Sequence, residues 1–172
     1  MRFNFRCTNV DVCLAMVQHF VGIGDVNIAC ADIFSAGRAD AIVSPANSYG
    51  YMDGGIDLVY VQRFGWDLQT RLQMLLRERH GGVLPIGQAV AVPTGDPEIP
   101  TMISSPTMVR PGPVPLSQNA YLATRAALLL ARKLGVEILL GTGMCTLTGR
   151  MAPAESAAQM RKAWDEVMVR PV

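Results

Sequence analysis

The segment Ala39-Asp40-Ala41-Ile42-Val43-Ser44-Pro45-Ala46-Asn47-Ser48 decides the fold. Its first half is a short apolar run, which is typical of a strand that is buried on both faces of a sheet. The run ends at Pro45, because proline cannot donate to a strand ladder. A polar loop and the glycine pair Gly54-Gly55 follow, and helical periodicity begins at Ile56. Strand, loop and helix in this order form the repeating unit of an α/β domain.

The same alternation recurs along the whole chain. Short apolar or alternating runs predict strands at residues 3–7, 26–30, 39–43, 88–92, 101–104 and 136–140. Helical spacing predicts helices at residues 10–21, at 56–80 with a break at Gly65, at 117–134 with Leu116 and Tyr121 facing the core, and from Pro153 to about residue 168. We therefore expect a three-layer α/β/α domain with a central mixed, largely parallel sheet. Ligands of such folds bind beyond the carboxyl ends of the strands.

Length and charge limit the classes of function. The 172 residues predict a single domain over 1–172, in which residues 1–25 form an additional N-terminal strand–helix unit. Fifteen Lys+Arg against 14 Asp+Glu give a net charge of +1, which argues against a nucleic-acid polymer as partner. No apolar stretch approaches the roughly 18 residues of a membrane span, and the N-terminus lacks the apolar core of a secretory signal. We expect a cytoplasmic protein with no membrane association.

The cysteines and the glycines exclude several familiar sites. Neither a CxxC motif nor a paired spacing with His19 or His80 is present, so no zinc site or disulfide framework is indicated for Cys7, Cys13, Cys30 and Cys145. Buried, reduced thiols are the expected state. There is no GxxxxGK[ST] motif, and Gly22-Ile23-Gly24 precedes a strand instead of following one, so neither a P-loop nor a dinucleotide fingerprint is supported. We expect no metal and no cofactor.

Two glycine-bearing loops follow predicted strands. Gly54-Gly55 stands at a helix start, and Gly141-Thr142-Gly143-Met144 follows the apolar run at 138–140. Glycines at such places allow close backbone approach and leave N–H groups free for an anion. Two facing loops of this kind can enclose a diphosphate with backbone amides alone. The alternative is that these glycines only serve turns.

Five segments in order resemble the macro domain family. They are Ala31-Asp32-Ile33, the segment 39–48 quoted above, Gly54-Gly55-Ile56-Asp57, Pro85-Ile86-Gly87-Gln88-Ala89-Val90 and Gly141-Thr142-Gly143. The resemblance covers about residues 26–168. It implies a protein that binds ADP-ribose or an ADP-ribose derivative, either free or attached to a protein, and in some members hydrolysis of ADP-ribosyl esters.

The resemblance also implies roles for single residues. Asp32 would accept a hydrogen bond from the adenine amino group, with the backbone of Ile33 beside it, and Asn47 would bind the distal ribose. The backbone along the phosphates would come from Gly54, Gly55 and Ile56, and from an opposing loop made of Gly141, Thr142, Gly143, Met144 and Cys145. The alternatives from the residues alone are that Asp32 is a solvated or capping aspartate and that Asn47 is a turn asparagine that bonds its own backbone.

The catalytic pair implied by the resemblance is Asn47 and Asp57, which stand ten residues apart. Asp57 would orient or activate a water, or a ribose hydroxyl, for attack at the anomeric carbon. Its alternative role is that of an acidic residue in the first turn of a helix, where the helix dipole favours a negative charge.

Three positions depart from the family pattern. Ser44-Pro45 stands where an Asn-Ala pair is usual, Asp53 replaces a frequent glycine, and Met144-Cys145 lacks the aromatic residue that often follows. Asp53 adds a negative charge close to the expected phosphates. Four functions therefore stay open: an ADP-ribosyl ester hydrolase, a non-catalytic ADP-ribose-binding module, a phosphatase acting on ADP-ribose 1''-phosphate, and a scaffold that kept the fold without the pocket.

Overall fold

A six-stranded sheet forms the centre of the protein in the computed structural model, which describes residues 1–169. Its strands are β1 (Arg2–Cys7), β2 (Val26–Cys30), β3 (Ala41–Ser44), β4 (Val90–Pro93), β5 (Thr101–Ser104) and β6 (Ile138–Gly141). They lie in the order β2-β1-β6-β3-β5-β4, and only the β4–β5 pair is antiparallel. The predicted mixed, largely parallel sheet is confirmed. The last three residues of the expected span 1–172 lie outside the described residues.

The helices begin and end close to the predicted positions. They are α1 (Val10–Phe20), α2 (Gly55–Phe64), α3 (Asp67–His80), α4 (Asn119–Lys133) and α5 (Pro153–Trp164), with a 3-10 turn at Ile33–Ala36 and a π turn at Asp165–Val169. The predicted break at Gly65 is present, because Gly65 takes a φ of 86° that a continuing helix does not allow. Gly81 ends α3 in the left-handed conformation. Within residues 1–169, no helix has both the length and the apolar character needed to cross a membrane.

Each face of the sheet carries its own apolar core. Phe5 and Val43 point to one face, where α1, α4 and α5 pack, whereas Ile42 and Leu140 point to the other, where α2 and α3 pack. Neighbouring residues of β3 thus belong to different cores, as the two-residue period of a strand requires. The arrangement is the expected three-layer α/β/α architecture.

The predicted core position of Leu116 is wrong, and α1 buries only part of its apolar residues. Leu116 is 98% exposed, because it lies in a loop between Pro115 and the start of α4 at Asn119. In α1, the apolar residues at helical spacing are Val10, Cys13, Leu14, Val17, Phe20 and Val21; Cys13 and Phe20 are buried, whereas Val10, Leu14, Val17 and Val21 are more than half exposed. The face that packs on the sheet contains Val12, Cys13, Ala15, Met16 and Phe20. The helix has apolar residues on two sides, so periodicity alone does not select the buried one.

The N-terminal strand lies in the interior of the sheet. β1 pairs with β2 on one side and with β6 on the other, both in parallel register. Phe3 of β1 stacks on Trp164 of α5 with ring centroids 6.1 Å apart. The strand–helix unit expected as an addition at residues 1–25 therefore supplies part of the central core.

Candidate ligand-binding site

A cavity of about 380 Å³ lies at one edge of the sheet. Its walls include residues at the ends of four parallel strands: Cys7 and Thr8 at the end of β1, Ala31 to Ile33 after β2, Pro45 to Asn47 after β3, and Thr142 and Gly143 after β6. The carboxyl ends of parallel strands meet at the same edge, which is where α/β folds bind their ligands.

The N-terminus of α2 forms one wall of this cavity, and the loop at 145–149 forms another. The first N–H groups of a helix have no partner within the helix, so the backbone at Gly55 and Ile56 offers donors to a bound anion. A φ of 57° at Gly55 shapes this turn. A Cβ at Gly55 would meet only the Thr148 hydroxyl, at 4.0 Å. The helix start is thus open to a bound anion.

Asp57 lines the cavity and has a buried carboxyl group. Its side chain is only 6% exposed, and its Oδ1 accepts a 2.5 Å hydrogen bond from Ser44 Oγ. Burial raises the pKa of Asp57 to about 7, and the hydrogen bond from Ser44 acts in the opposite direction. Asp57 can therefore hold or release a proton near neutral pH.

Tyr60 lies one turn after Asp57 on α2 and is fully buried. Its hydroxyl donates a 2.9 Å hydrogen bond to Val43 O. Burial, followed by the charge of Asp57, raises the pKa of Tyr60 well above its ordinary value. Tyr60 therefore stays a neutral phenol and ties α2 to the end of β3.

Ser44, one of the residues that depart from the family pattern, lies at the end of β3 and contacts Asp57. It is fully buried and stands opposite Ser104 of β5. The Ser104 hydroxyl has no hydrogen-bond partner among the described residues. The serine at this position therefore places one short hydroxyl contact on the Asp57 carboxyl, where the family pattern would place an amide.

Asn47 lines the cavity and also holds its own loop together. Its Nδ2 donates to Tyr51 O at 2.8 Å, and its Oδ1 accepts from the backbone N–H groups of Tyr49 and Tyr51. These are the bonds of a turn asparagine, the alternative that the sequence left open. An amide nitrogen has two hydrogens, so one donor remains for a ligand.

Asp32 lines the cavity directly after the end of β2. It is exposed, and its Oδ1 accepts a 2.8 Å hydrogen bond from Phe34 N, which caps the 3-10 turn. Ile33 beside it is buried at the cavity wall. A carboxylate has lone pairs on both oxygens, so Asp32 can cap the turn and still accept from a ligand.

Five residues at the end of β6 and in the loop after it were expected to bind the ligand, but only three of them line the cavity. Thr142, Gly143 and Cys145 line the cavity, whereas Gly141 and Met144 are not among its lining residues. The ring of Phe3 packs against Gly141, leaving no room for a Cβ there. Met144 is buried in the apolar core, and its carbonyl accepts a 2.6 Å hydrogen bond from Ser156 Oγ. These two residues hold the loop in place through their contacts with the core, outside the cavity.

Cys145 adopts a positive φ of 61°, which is uncommon for a residue other than glycine. Burial raises the pKa of its thiol to about 12, with a weak opposing contact from the Cys145 thiol to Thr107 O. A thiol of this kind is protonated at neutral pH and is a poor nucleophile.

Several wall residues were not found from the sequence. They are Arg6, Cys7, Thr8, Thr107, Met108 and Pro111. Arg6 and Cys7 are the last two residues of β1, and Thr8 follows them. Because ligands bind at the carboxyl ends of parallel strands, the sequence could have indicated these residues only if β1 were known to be parallel to its neighbours. The 107–111 segment lies among prolines and has no periodic signal. Its Met108 pairs with Asn47 in an isolated bridge.

Comparison with known proteins agrees with this architecture. The sequence profile of the macro domain family matches residues 43–160. An Aquifex aeolicus protein described as uncharacterised is 36% identical over 121 residues, which is 70% of this chain and 69% of that protein.

Two solved structures show the same fold at low sequence identity. The macrodomain of Mycobacterium tuberculosis DarG superimposes with a TM-score of 0.68 at 19% identity, covering 80% of this chain and 88% of that one. A mutant Oceanobacillus iheyensis macrodomain with ADPR gives a TM-score of 0.64 at 18% identity, covering 74% of this chain and 69% of that one. With the profile match over more than half of its length, this chain belongs to the macro domain family.

Proposed function

We propose that the protein binds ADP-ribose in the strand-end cavity and hydrolyses an ADP-ribosyl ester. The observation that carries the proposal is Asp57, a cavity-lining residue with a buried carboxyl group in the first turn of α2, beside the open N-terminus of that helix. A catalytic group and an anion-binding backbone thus lie side by side. The solved macrodomain with ADPR supports this choice of ligand.

The proposed ligand spans the cavity from β2 to α2. Asp32 accepts from the adenine amino group beside Ile33, and the backbone at 54–56 and 142–143 encloses the diphosphate. Cys145 contributes to the wall behind it, and Asn47 donates its remaining amide hydrogen to the distal ribose. Gly141 and Met144 act through the loop that they support.

The charges of the wall favour backbone recognition of the diphosphate. Among the described residues that line the cavity, three are acidic (Asp32, Asp53 and Asp57) and one, Arg6, is basic. Asp53 is exposed, so solvent screens part of its charge. Because burial raises the pKa of Asp57 to about 7, part of the population is neutral at physiological pH, which reduces the repulsion of the phosphates.

Asp57 supplies the chemistry of the proposed hydrolysis. In its ionised form it accepts the proton of a water, or of a ribose hydroxyl, that attacks the anomeric carbon. The bond from that carbon to the ester oxygen breaks, and the carboxylate of the acceptor leaves. A general base works best when its pKa lies near the operating pH, and Asp57 meets that condition. We expect hydrolysis to increase with pH through the titration of Asp57, because the ionised form is the active one.

The first experiment is a calorimetric titration of the protein with ADP-ribose, with AMP and NAD as controls. Micromolar binding that is selective for ADP-ribose is the expected result. An absence of binding at millimolar ADP-ribose would contradict the proposal and favour the scaffold function.

Two substitutions separate binding from turnover. Asp57→Ala should leave the ADP-ribose affinity within a few-fold of wild type and abolish release of ADP-ribose from an ADP-ribosylated protein. Asp32→Ala should weaken binding by about 1–3 kcal/mol, the cost of a lost polar partner. Equal loss of affinity and of turnover in Asp57→Ala would remove the catalytic assignment.

A non-catalytic binding module is the second candidate, and the contacts of Asn47 favour it. Both polar atoms of that side chain already bond the backbone of the 47–51 loop. Tight ADP-ribose binding without any product would identify this function. Release of phosphate from ADP-ribose 1''-phosphate, without ester hydrolysis, would instead identify a phosphatase.

A further inference from the structure

The solvent-facing side of α1 carries four apolar residues in a row along the helix. Each of them is more than half exposed, and together we call them the α1 stripe: Val10, Leu14, Val17 and Val21. The opposite side of the helix packs on β2 and α5. A single exposed apolar residue is ordinary, but an adjoining group of them on a surface marks a place of contact with another molecule.

The α1 stripe is narrow and unbroken. At 3.6 residues per turn its four positions lie within about 60° of one another around the helix axis. The other exposed residues of the helix are Asp11 and Gln18, and both lie on the same side of the stripe. Val21 directly follows the last residue of α1, so the stripe runs the whole length of the helix.

The spacing of the stripe matches the interface between two packed helices. Its steps along the chain are four, three and four residues, which is the alternation of apolar positions in a coiled coil. These steps are the same in both directions. An antiparallel copy of α1 therefore matches the stripe with itself, and Val10 meets the partner's Val21 while Leu14 meets the partner's Val17. A two-fold symmetric dimer requires this kind of reciprocal contact.

The polar residues beside the stripe agree with the antiparallel direction. In that arrangement Asp11 comes near the partner's Gln18, whose side-chain amide can donate to the carboxylate. Antiparallel helices also place the positive end of one helix dipole beside the negative end of the other. No charged side chain of α1 has to be buried when the two stripes meet.

We propose that the α1 stripe is a dimer interface, in which α1 packs antiparallel against α1 of a second copy of this chain. A standard interface buries about 800 Å² on each partner. Four half-exposed side chains supply less than that, so the dimer is weak and exchanges with the monomer at micromolar protein concentration. The inference goes beyond the proposed function and does not depend on ADP-ribose.

The first test is sedimentation equilibrium of the full chain over a wide range of protein concentration. The average mass should rise from 18.6 kDa toward twice that value as the concentration increases. A mass of 18.6 kDa at every concentration would overturn the proposal, and so would growth beyond a dimer, because a two-fold contact closes on itself.

Single substitutions test whether the dimer forms through the stripe. Leu14→Glu and Val17→Lys should each weaken self-association by about tenfold or more, because a dimer of either variant buries the new charge twice without a partner. Leu116→Glu is the matched control, since it makes the same change at an exposed residue in a loop, and it should dimerise like wild type. A dimer that tolerates both stripe substitutions would place the interface elsewhere and refute the proposal.

A mixture of the two variants tests the direction of the helices. In an antiparallel pair of Leu14→Glu with Val17→Lys, the new glutamate faces the new lysine, and the second pair of positions keeps leucine against valine. The mixture should therefore dimerise more tightly than either variant alone. In a parallel pair each position meets its own copy and no such rescue occurs, so absence of rescue would overturn the antiparallel arrangement. Circular dichroism of each variant checks that it is folded.

Discussion

At the scale of single residues, Asp57 connects the chemistry of the site with the stability of the fold. Its pKa of about 7 in the folded protein lies above the ordinary value of 3.8, because burial disfavours the charged form. Between these two values the folded state holds a proton that the unfolded state has lost. The free energy of unfolding should therefore fall as the pH rises from about 4 to about 7, by a few kcal/mol in total, and then level off.

The check is urea unfolding of wild type and Asp57→Asn across that pH range. Asparagine keeps the shape and can still accept from Ser44, but it does not titrate. The stability of wild type relative to Asp57→Asn should decline with rising pH. Parallel curves for the two proteins would show that Asp57 titrates normally.

Ser44 adjusts the proton affinity of Asp57. Its hydroxyl hydrogen-bonds the carboxyl at 2.5 Å and lowers the pKa of Asp57 against the larger effect of burial. Ser44→Ala should therefore raise this pKa further, and the pH midpoint of the Asp57-dependent stability change should move upward. Ser104→Ala is the matched control, because it removes a neighbouring buried hydroxyl without a partner among the described residues. Equal midpoints in Ser44→Ala and wild type would contradict this role.

At the scale of elements, the loop between β6 and α5 depends on Gly149. A Cβ at this position would lie 2.4 Å from Cys145 O, which is a backbone atom that cannot rotate away. Gly149→Ala should therefore destabilise the protein by about 1–3 kcal/mol, as overpacking usually does, and weaken ADP-ribose binding because the loop forms a cavity wall.

Gly24→Ala is the control for that substitution. A Cβ at Gly24 would have no atom within 4 Å, and Gly24 has no positive φ. Thermal unfolding and calorimetry on both variants give the comparison. A wild-type melting temperature in Gly149→Ala would show that the loop moves aside at no cost.

At the scale of the whole molecule, residues 1–25 should be indispensable for folding. β1 lies between β2 and β6, and its deletion would remove both sets of strand hydrogen bonds and the buried rings of Phe3 and Phe5. A protein starting at Val26 should lack a cooperative unfolding transition. Two point variants calibrate the effect: Phe5→Ala should cost about 3–5 kcal/mol as a core truncation, and the exposed Leu116→Ala close to nothing. Cooperative unfolding of the truncated protein would show that the remaining strands form a sheet without β1.

The sequence by itself determined the order and type of the elements, the mixed sheet and the loops around Asn47 and Gly143, because periodicity and glycine placement are local properties of the chain. It did not determine which face of α1 is buried, the exposure of Leu116, or the interior place of β1, since these depend on how elements pack. Only the tertiary structure joined Ser44 to Asp57, and moved Met144 from the cavity wall into the core. Such contacts join residues far apart in sequence, and burial, which sets the proton affinity of Asp57, exists only once the layers have assembled.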